Sequence, residues 1–389
     1  MKKVIFILYL LLTMQVSFVN NNAIMHTEIF RTLYVGGEGS NNYTRIQDAI
    51  DNASDGDTII VYYGTYNESI EVDKTLYIIG KEENGKKPVI LCYKNIVVNI
   101  TANNCTFKFF KVMALNRTAY AINLLSNKNS IEGNVIEGGF IGISLFYSSY
   151  NTIRSNVIRN TTETALSIDH SHNNIIESNE IINNEWDGIA LFASNNNIVT
   201  KNEIKWNECG ITLMAYSRYN EIKNNNVSEN TNYGITIQHA SNNKVIGNYI
   251  YKNKEWCGIS IIASSNIVSK NIIIANKWAG IYIGGRRNII SKNIIKDSKF
   301  GLFLEGYGGR CRNNVIIGND FVGNKIHVSF WFEQYLFPLN LFFRNYWENW
   351  YLPLPKPILG TWSIIIPFHG EMDIPWFYFD WSPRILPMK

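Results

Sequence analysis

Trp186–Ile204, WDGIALFASNNNIVTKNEI, is the stretch whose reading decides the fold. Its apolar residues keep neither a 3.6-residue period nor a sustained alternation, so it is neither an amphipathic helix nor one long strand. Read as a phrase, it is Gly188-Ile189-x-Leu191, a polar turn, Asn197-x-Val199 and Asn202-x-Ile204. The same phrase returns along half the chain. Its first part recurs as Ala121-Ile122-x-Leu124, Gly142-Ile143-x-Leu145, Ala165-Leu166-x-Ile168, Gly210-Ile211-x-Leu213, Gly234-Ile235-x-Ile237, Gly258-Ile259-x-Ile261, Gly280-Ile281-x-Ile283 and Gly301-Leu302-x-Leu304, at spacings of 21 to 24 residues. Its second part recurs as the pairs Asn129/Asn134 through Asn314/Asn319, each Asn followed two residues later by Ile, Val or Phe.

Each copy therefore holds three very short apolar segments divided by polar turns, and one copy alone cannot bury them. Stacked copies can, because each short strand pairs in parallel with its counterpart in the next copy and the apolar positions align into continuous inner columns. The expected fold is all-β, a right-handed parallel β-helix. The Asn columns are expected to hold its corners, by tolerating left-handed backbone and by bonding amide to amide along the axis.

Both ends of a solenoid need covers. Thr44-x-x-Gln47 reads as a capping box before a short helix with Ile46, Ala49, Ile50 and Ala53 on its apolar face, so residues 24–57 form an N-terminal cap. The repeats occupy 58–330, and the Trp-, Tyr-, Phe- and Pro-rich segment 331–389 forms a C-terminal cap in which Trp347, Trp350, Trp376 and Trp381 bury against the last coil. Residues 1–23, with Lys2 and Lys3 ahead of an apolar run, have the order of an export signal, which predicts a secreted or cell-surface protein. An uncleaved leader would be its sole membrane tie. Five cysteines without a C-x-x-C argue against a disulfide framework or a zinc site, Cys92 with Cys105 being the one pairing worth testing. The net charge is +4, and the clusters Lys86-Lys87, Arg286-Arg287 and Arg310/Arg312 are short and far apart, which speaks against a nucleic-acid partner.

The segment Tyr43–Gly80, with IQDAI, GDTIIV, GTYNESI and IIG, followed by the Gly-Ile-x-Leu and Asn-x-Ile coils, resembles the pectin-lyase-like β-helix superfamily, and within it the NosD-like proteins with CASH-type repeats. The resemblance covers roughly residues 32 to 330. It implies the fold and leaves open a superfamily of polysaccharide lyases, glycosidases, epimerases, adhesins and the copper-related NosD proteins.

Outward positions of one strand column make a face whose rows lie about 4.8 Å apart, suited to a long polymer. Five residues before the last Leu/Ile of each first-part motif stand Phe140, Glu163, Trp186, Glu208, Asn232, Trp256, Trp278 and Lys299. Rings stack on sugar faces and carboxylates bond hydroxyls or move protons, so Phe140, Trp186, Trp256 and Trp278 are the candidate saccharide-binding residues. Glu163, Asp187 and Glu208 are the candidate acid–base residues. Glu163 and Glu208, two coils apart, would be separated by roughly 9.6 Å along the axis, near the upper limit of the ~6.5 to 9.5 Å of an inverting glycosidase pair. Asp169, His170 and His172 cluster at a turn and are weak metal candidates; neither copper nor calcium finds a convincing ligand spacing. Three roles stay open: a secreted protein that binds and processes a polysaccharide or surface glycan as hydrolase, lyase or epimerase, a non-catalytic adhesion scaffold, and a NosD-like copper-related periplasmic protein.

Overall fold

The structure, a computed structural model, describes residues 30–307, 310–333, 339–366 and 370–388. The segment 1–23, expected to be an export signal, lies outside them. Among the described residues no helix is long and apolar enough to cross a membrane.

The chain winds into the right-handed parallel β-helix that the repeats predict. One coil carries strands Asp187–Phe192, Ile198–Thr200 and Glu203–Lys205, and the next carries Cys209–Met214, Glu221–Lys223 and Asn226–Ser228. Parallel pairing sets Ile189 beside Ile211, Val199 beside Ile222 and Ile204 beside Val227, all fully buried. Burying each such side chain contributes about 1.5 to 3 kcal/mol, and stacking them coil on coil gives one unbroken core. The third strand column has 13 strands; the other two form a 28-stranded sheet, joined through a C-terminal hairpin. Parallel pairing begins at Thr32–Val35, which pairs with Thr58–Tyr62, and the third column ends at Tyr346–Trp347, so it reaches past residues 58 and 330 at both ends.

The small residue that opens each motif has a steric cause. A Cβ at Gly188 would lie 2.6 Å from Ile204 Cγ2 and 2.7 Å from the Gly210 carbonyl of the next coil. Only hydrogen, or the methyl of Ala121 or Ala165 at other coils, fits there.

The Asn columns stack as expected, with one correction to how they turn the corner. The left-handed residue is the one before each ladder Asn: Asn173, Ser178, Asn196 and Lys201 have φ of 57°, 55°, 58° and 55°, and the ladder Asn side chains point inward. Asn202 shows the full pattern. Its Oδ1 accepts the Asn179 backbone and side-chain amides at 2.9 and 3.0 Å, and its Nδ2 donates to Ile176 O and Asn225 Oδ1, both at 3.0 Å. A third column, Asn184, Asn207, Asn230, Asn253 and Asn276, bonds the same way at the remaining corner.

At the N-terminal end the helix Ile46–Asn52 packs Ile46, Ala49 and Ile50 on the first coils. The expected capping box does not form: the N-cap is Arg45, with no side-chain cap bond. Glu68, from the first coil, accepts the Ile46 and Gln47 amides at 2.8 and 3.1 Å, while Gln47 bonds Glu71 O and Glu71 N instead. A carboxylate with two acceptor oxygens serves a helix N-terminus better than one hydroxyl. The pairing of Cys92 with Cys105 is also absent; both thiols are free, Cys105 donating to Lys74 O at 3.3 Å and Cys92 to Ile96 O at 3.8 Å.

The C-terminal cover is a hairpin, Lys356–Ile366 with Gly370–Asp380, laid parallel on the last coil through Phe332 beside Trp362 and Phe342 beside Asp380. Trp347 is buried and stacks on Phe321 at 4.8 Å, and Trp350 and Trp376 are partly buried against the core. Trp381 differs from the expectation: it is 65% exposed, because the chain has left the hairpin by then.

Candidate functional site

The first strand column supplies the site. Inward Ile211 and Leu213 force Thr212 between them to the outer face, and the same holds in every coil. The resulting outer line reads Ser144, Ser167, Ala190, Thr212, Thr236 and Ser260. Although outward, Thr212 is only 2% exposed, and Ser144, Thr236 and Ser260 are buried too. These small side chains are thus the floor of a groove, with taller residues on either side.

One wall is the column found in the sequence. Backbone bonds run from Glu163 N to Phe140 O, Trp186 N to Glu163 O, Glu208 N to Trp186 O, Asn232 N to Glu208 O, Trp256 N to Asn232 O and Trp278 N to Trp256 O, so these residues do lie on successive coils. Trp186 is 56% and Trp256 48% exposed, Phe140 is marginally exposed, and Trp278 is half-buried. Toward the C-terminal end the rings join into a ridge: Tyr233 to Trp256 at 6.3 Å, Trp256 to Trp278 at 5.9 Å and Trp278 to Phe303 at 5.2 Å. The other wall carries Phe146, Asp169 and Phe192, with Tyr147 stacked on His170 at 4.9 Å.

The three acidic candidates come together electrostatically. Asp187 opens its strand beside Cys209, and its Oδ1 accepts the Thr212 hydroxyl at 2.8 Å. Burial lifts the Asp187 carboxyl from the ordinary 3.8 to about 6, the charges of Glu208 and Glu163 adding to the rise against the bonds from Thr212 and Cys209. Burial also raises Glu163, and burial beside Asp187 pushes the Cys209 thiol up to about 12. Glu208 is held by Asn232 Nδ2 at 2.7 Å. The arrangement can give or take a proton near neutral pH at Asp187, flanked by two further carboxylates. Thr212 and Asn232 were not picked as partners from the sequence, yet Thr212 is the variable residue of Gly-Ile-x-Leu, and a Ser/Thr column there is readable once the coils are aligned.

The turn cluster does not assemble as a metal centre. Asp169 Oδ1 lies 2.6 Å from His170 Nδ1, whereas His172 Nδ1 accepts the Asn195 amide at 3.0 Å and so faces along the axis instead. Among the described residues no three His, Cys, Asp or Glu are placed to hold one metal ion, and burial raises the Cys257 and Cys311 thiols above their ordinary range. These donors fit neither copper nor calcium.

The fold is similar to that of an Azotobacter vinelandii mannuronan C-5 epimerase AlgE6 A-module, at 13% identity over 76% of this chain and 91% of that one, with a TM-score of 0.55. It is also similar to the Dettilon tailspike protein, at 15% identity over 76% and 68% of the chains and a TM-score of 0.53. A GH87 α-1,3-glucanase catalytic domain in complex with nigerose shares 14% identity over 78% and 64%, with a TM-score of 0.50. No curated protein sequence matches the chain. Residues 50–232, 163–276 and 220–351 each match the family described as periplasmic copper-binding protein (NosD), together more than half of the chain, and the protein belongs to that NosD family.

Proposed function

We propose that the protein is an extracytoplasmic solenoid that binds a carbohydrate polymer lengthwise in the groove on its first strand column. The observation that carries this reading is the column in which Trp186, Trp256 and Trp278 stand, with Tyr233 stacked on Trp256, bordering a floor of small, mostly hydroxyl side chains. Flat apolar faces beside hydrogen-bonding groups are what a sugar chain presents surfaces to. The family's description as periplasmic supports the compartment. Two of the similar structures are named for saccharides, a mannuronan epimerase and a glucanase bound to nigerose, but at this identity they share only the fold, and the residues bear the argument. No step is assigned to copper, since the donors described do not suit it.

Affinity electrophoresis against a panel of neutral and acidic polysaccharides tests the reading. Trp186→Ala with Trp256→Ala should weaken retention at least tenfold while leaving the thermal midpoint unchanged; unaltered retention, or none by any polymer in the native protein, overturns it. A second reading, turnover of the bound polymer, rests on Asp187 alone. It requires reducing ends or unsaturated ends to appear and Asp187→Asn to stop their release without weakening binding.

A further inference from the structure

The residue two before each first-ladder Asn forms a column of its own. From Asn103 to Arg218 it is tied together, each backbone amide donating to the side chain one coil earlier: Asn127 to Asn103, Ser149 to Asn127, His172 to Ser149, Asn195 to His172 and Arg218 to Asn195, at 2.7 to 3.0 Å. The chain of bonds stops at Arg218, whose guanidinium offers no acceptor to the next coil. Beyond it the column continues as Ser241, Ser264, Arg286 and Arg312, and the surface opens into a cleft of about 560 Å³ that these residues line together with Arg310 and His239. The Arg287 amide bonds Arg312 O at 3.0 Å, so Arg286 and Arg312 stand at equivalent places on adjacent coils.

Like charges stacked at one strand spacing, about 4.8 Å, repel. Elsewhere the solenoid avoids this by facing cation with acid, as in Arg154 with Glu132, Arg159 with Glu137 and Lys244 with Glu221. Among the described residues none of Arg218, Arg286, Arg310 and Arg312 has an ion-pair partner. Glu305, on the strand beyond, already accepts the Tyr282 hydroxyl at 2.7 Å. Clusters that lie far apart in sequence are thus gathered by the winding into one unneutralised site of planar, bidentate donors.

We propose that this cleft binds an oxyanion, the carboxylate or sulfate of an acidic saccharide unit whose chain continues into the groove. Ile262 lines the cleft and stands in the same column as Phe192, so the cleft and the groove share that wall, one on each side of it. The identity of the carrier rests on the glycan-binding reading; the oxyanion site does not. Calorimetry on the full-length protein at low and high salt separates them, using inorganic sulfate, inorganic phosphate, an acidic oligosaccharide, its neutral counterpart and a single-stranded oligonucleotide. The acidic oligosaccharide should bind at least tenfold tighter than the neutral one, lose that margin in Arg286→Ala/Arg312→Ala, and lose part of it in high salt. Arg218→Ala, at the far end of the cleft, should cost less, and an unchanged thermal midpoint in each variant checks that it is folded. Sulfate binding that the double variant abolishes, without any saccharide binding, would keep the oxyanion site and sink the glycan carrier. Equal affinity for acidic and neutral chains, no effect of the arginine variants, or preference for the oligonucleotide would overturn the proposal.

Discussion

Asp187 is the residue where the fold most alters ordinary chemistry. Its carboxyl is raised by burial from 3.8 to about 6, so between those values the folded chain keeps a proton that the unfolded chain has released. The sign follows from linkage: the stability tied to this proton is complete below about pH 4 and is lost as pH rises through about 6, up to roughly 3 kcal/mol for a shift of this size. Asp57 works the other way. Burial would raise it, yet the Ser54 and Arg31 amides and the Arg31 guanidinium hold it below the carboxylate range, so its contribution is lost as pH falls. Asp187→Asn should therefore flatten the decline of the thermal midpoint between pH 4 and 6 and leave the acid limb intact. Thermal unfolding of both proteins across pH 3 to 7 checks this, and parallel profiles for the two would mean that Asp187 titrates normally.

Among the elements, the Asn ladders do the most to fix one coil on the next. They are directional: each side-chain oxygen accepts from the coil before, while the amide nitrogen donates once forward and once back, as Asn225 accepts from Asn202 and donates to Asn248 Oδ1 on the coil after and to Val199 O on the coil before, both at 2.9 Å. Asn225→Asp keeps the shape and the acceptor but sets a carboxylate against two oxygens inside the core. It should cost about 3 kcal/mol or more, with part recovered at low pH where the carboxyl is protonated and can donate again, whereas Asn225→Ala should cost a similar amount at every pH. Thermal midpoints at two pH values distinguish the two variants. The coil repeat, the inner columns and the wall of Phe140, Glu163, Trp186, Glu208, Trp256 and Trp278 were legible in the sequence because each is a position within a fixed period. Contacts that depend on the third dimension were not. Glu68 reaches the helix N-terminus from another coil, and Thr212 meets Asp187 only after the chain has gone round once. Arg286, Arg310 and Arg312 are brought by winding to one cleft with Arg218 at its far end, and no local pattern announces that.

For the whole molecule, the question is what closes a solenoid whose ladders all run one way. Every ladder must end on donors that the last coil leaves unmatched. In the ladder through Asn319 and Asn345 the last donors, Asn345 N and Nδ2, meet Asp380 Oδ2, both at 3.0 Å, and Trp347 Nε1 meets the same oxygen at 3.0 Å. An acceptor-only carboxylate is the right terminus for a column of donors, and its bonds are charge-assisted. The hairpin that carries Asp380 also sets Tyr378 edge-on to Phe330 at 4.9 Å and buries Ile358. Ending the chain after Leu352 removes all of this at once. Phe330, Phe332, Phe342 and Trp347 would face water, each forfeiting about 2 to 3 kcal/mol of burial, and the last strands would offer unpaired edges to other molecules. The truncated protein should aggregate and melt well below the full chain, while Asp380→Ala alone should stay folded and lose about 3 kcal/mol through the donors it strands. Full-length protein is the necessary baseline in light scattering, because Leu359 and Phe377 on the hairpin and Trp381 just after it are already exposed. A truncated chain that remains monomeric and melts with the full-length protein would show that the solenoid closes itself at Trp347 and that the hairpin serves something other than closure.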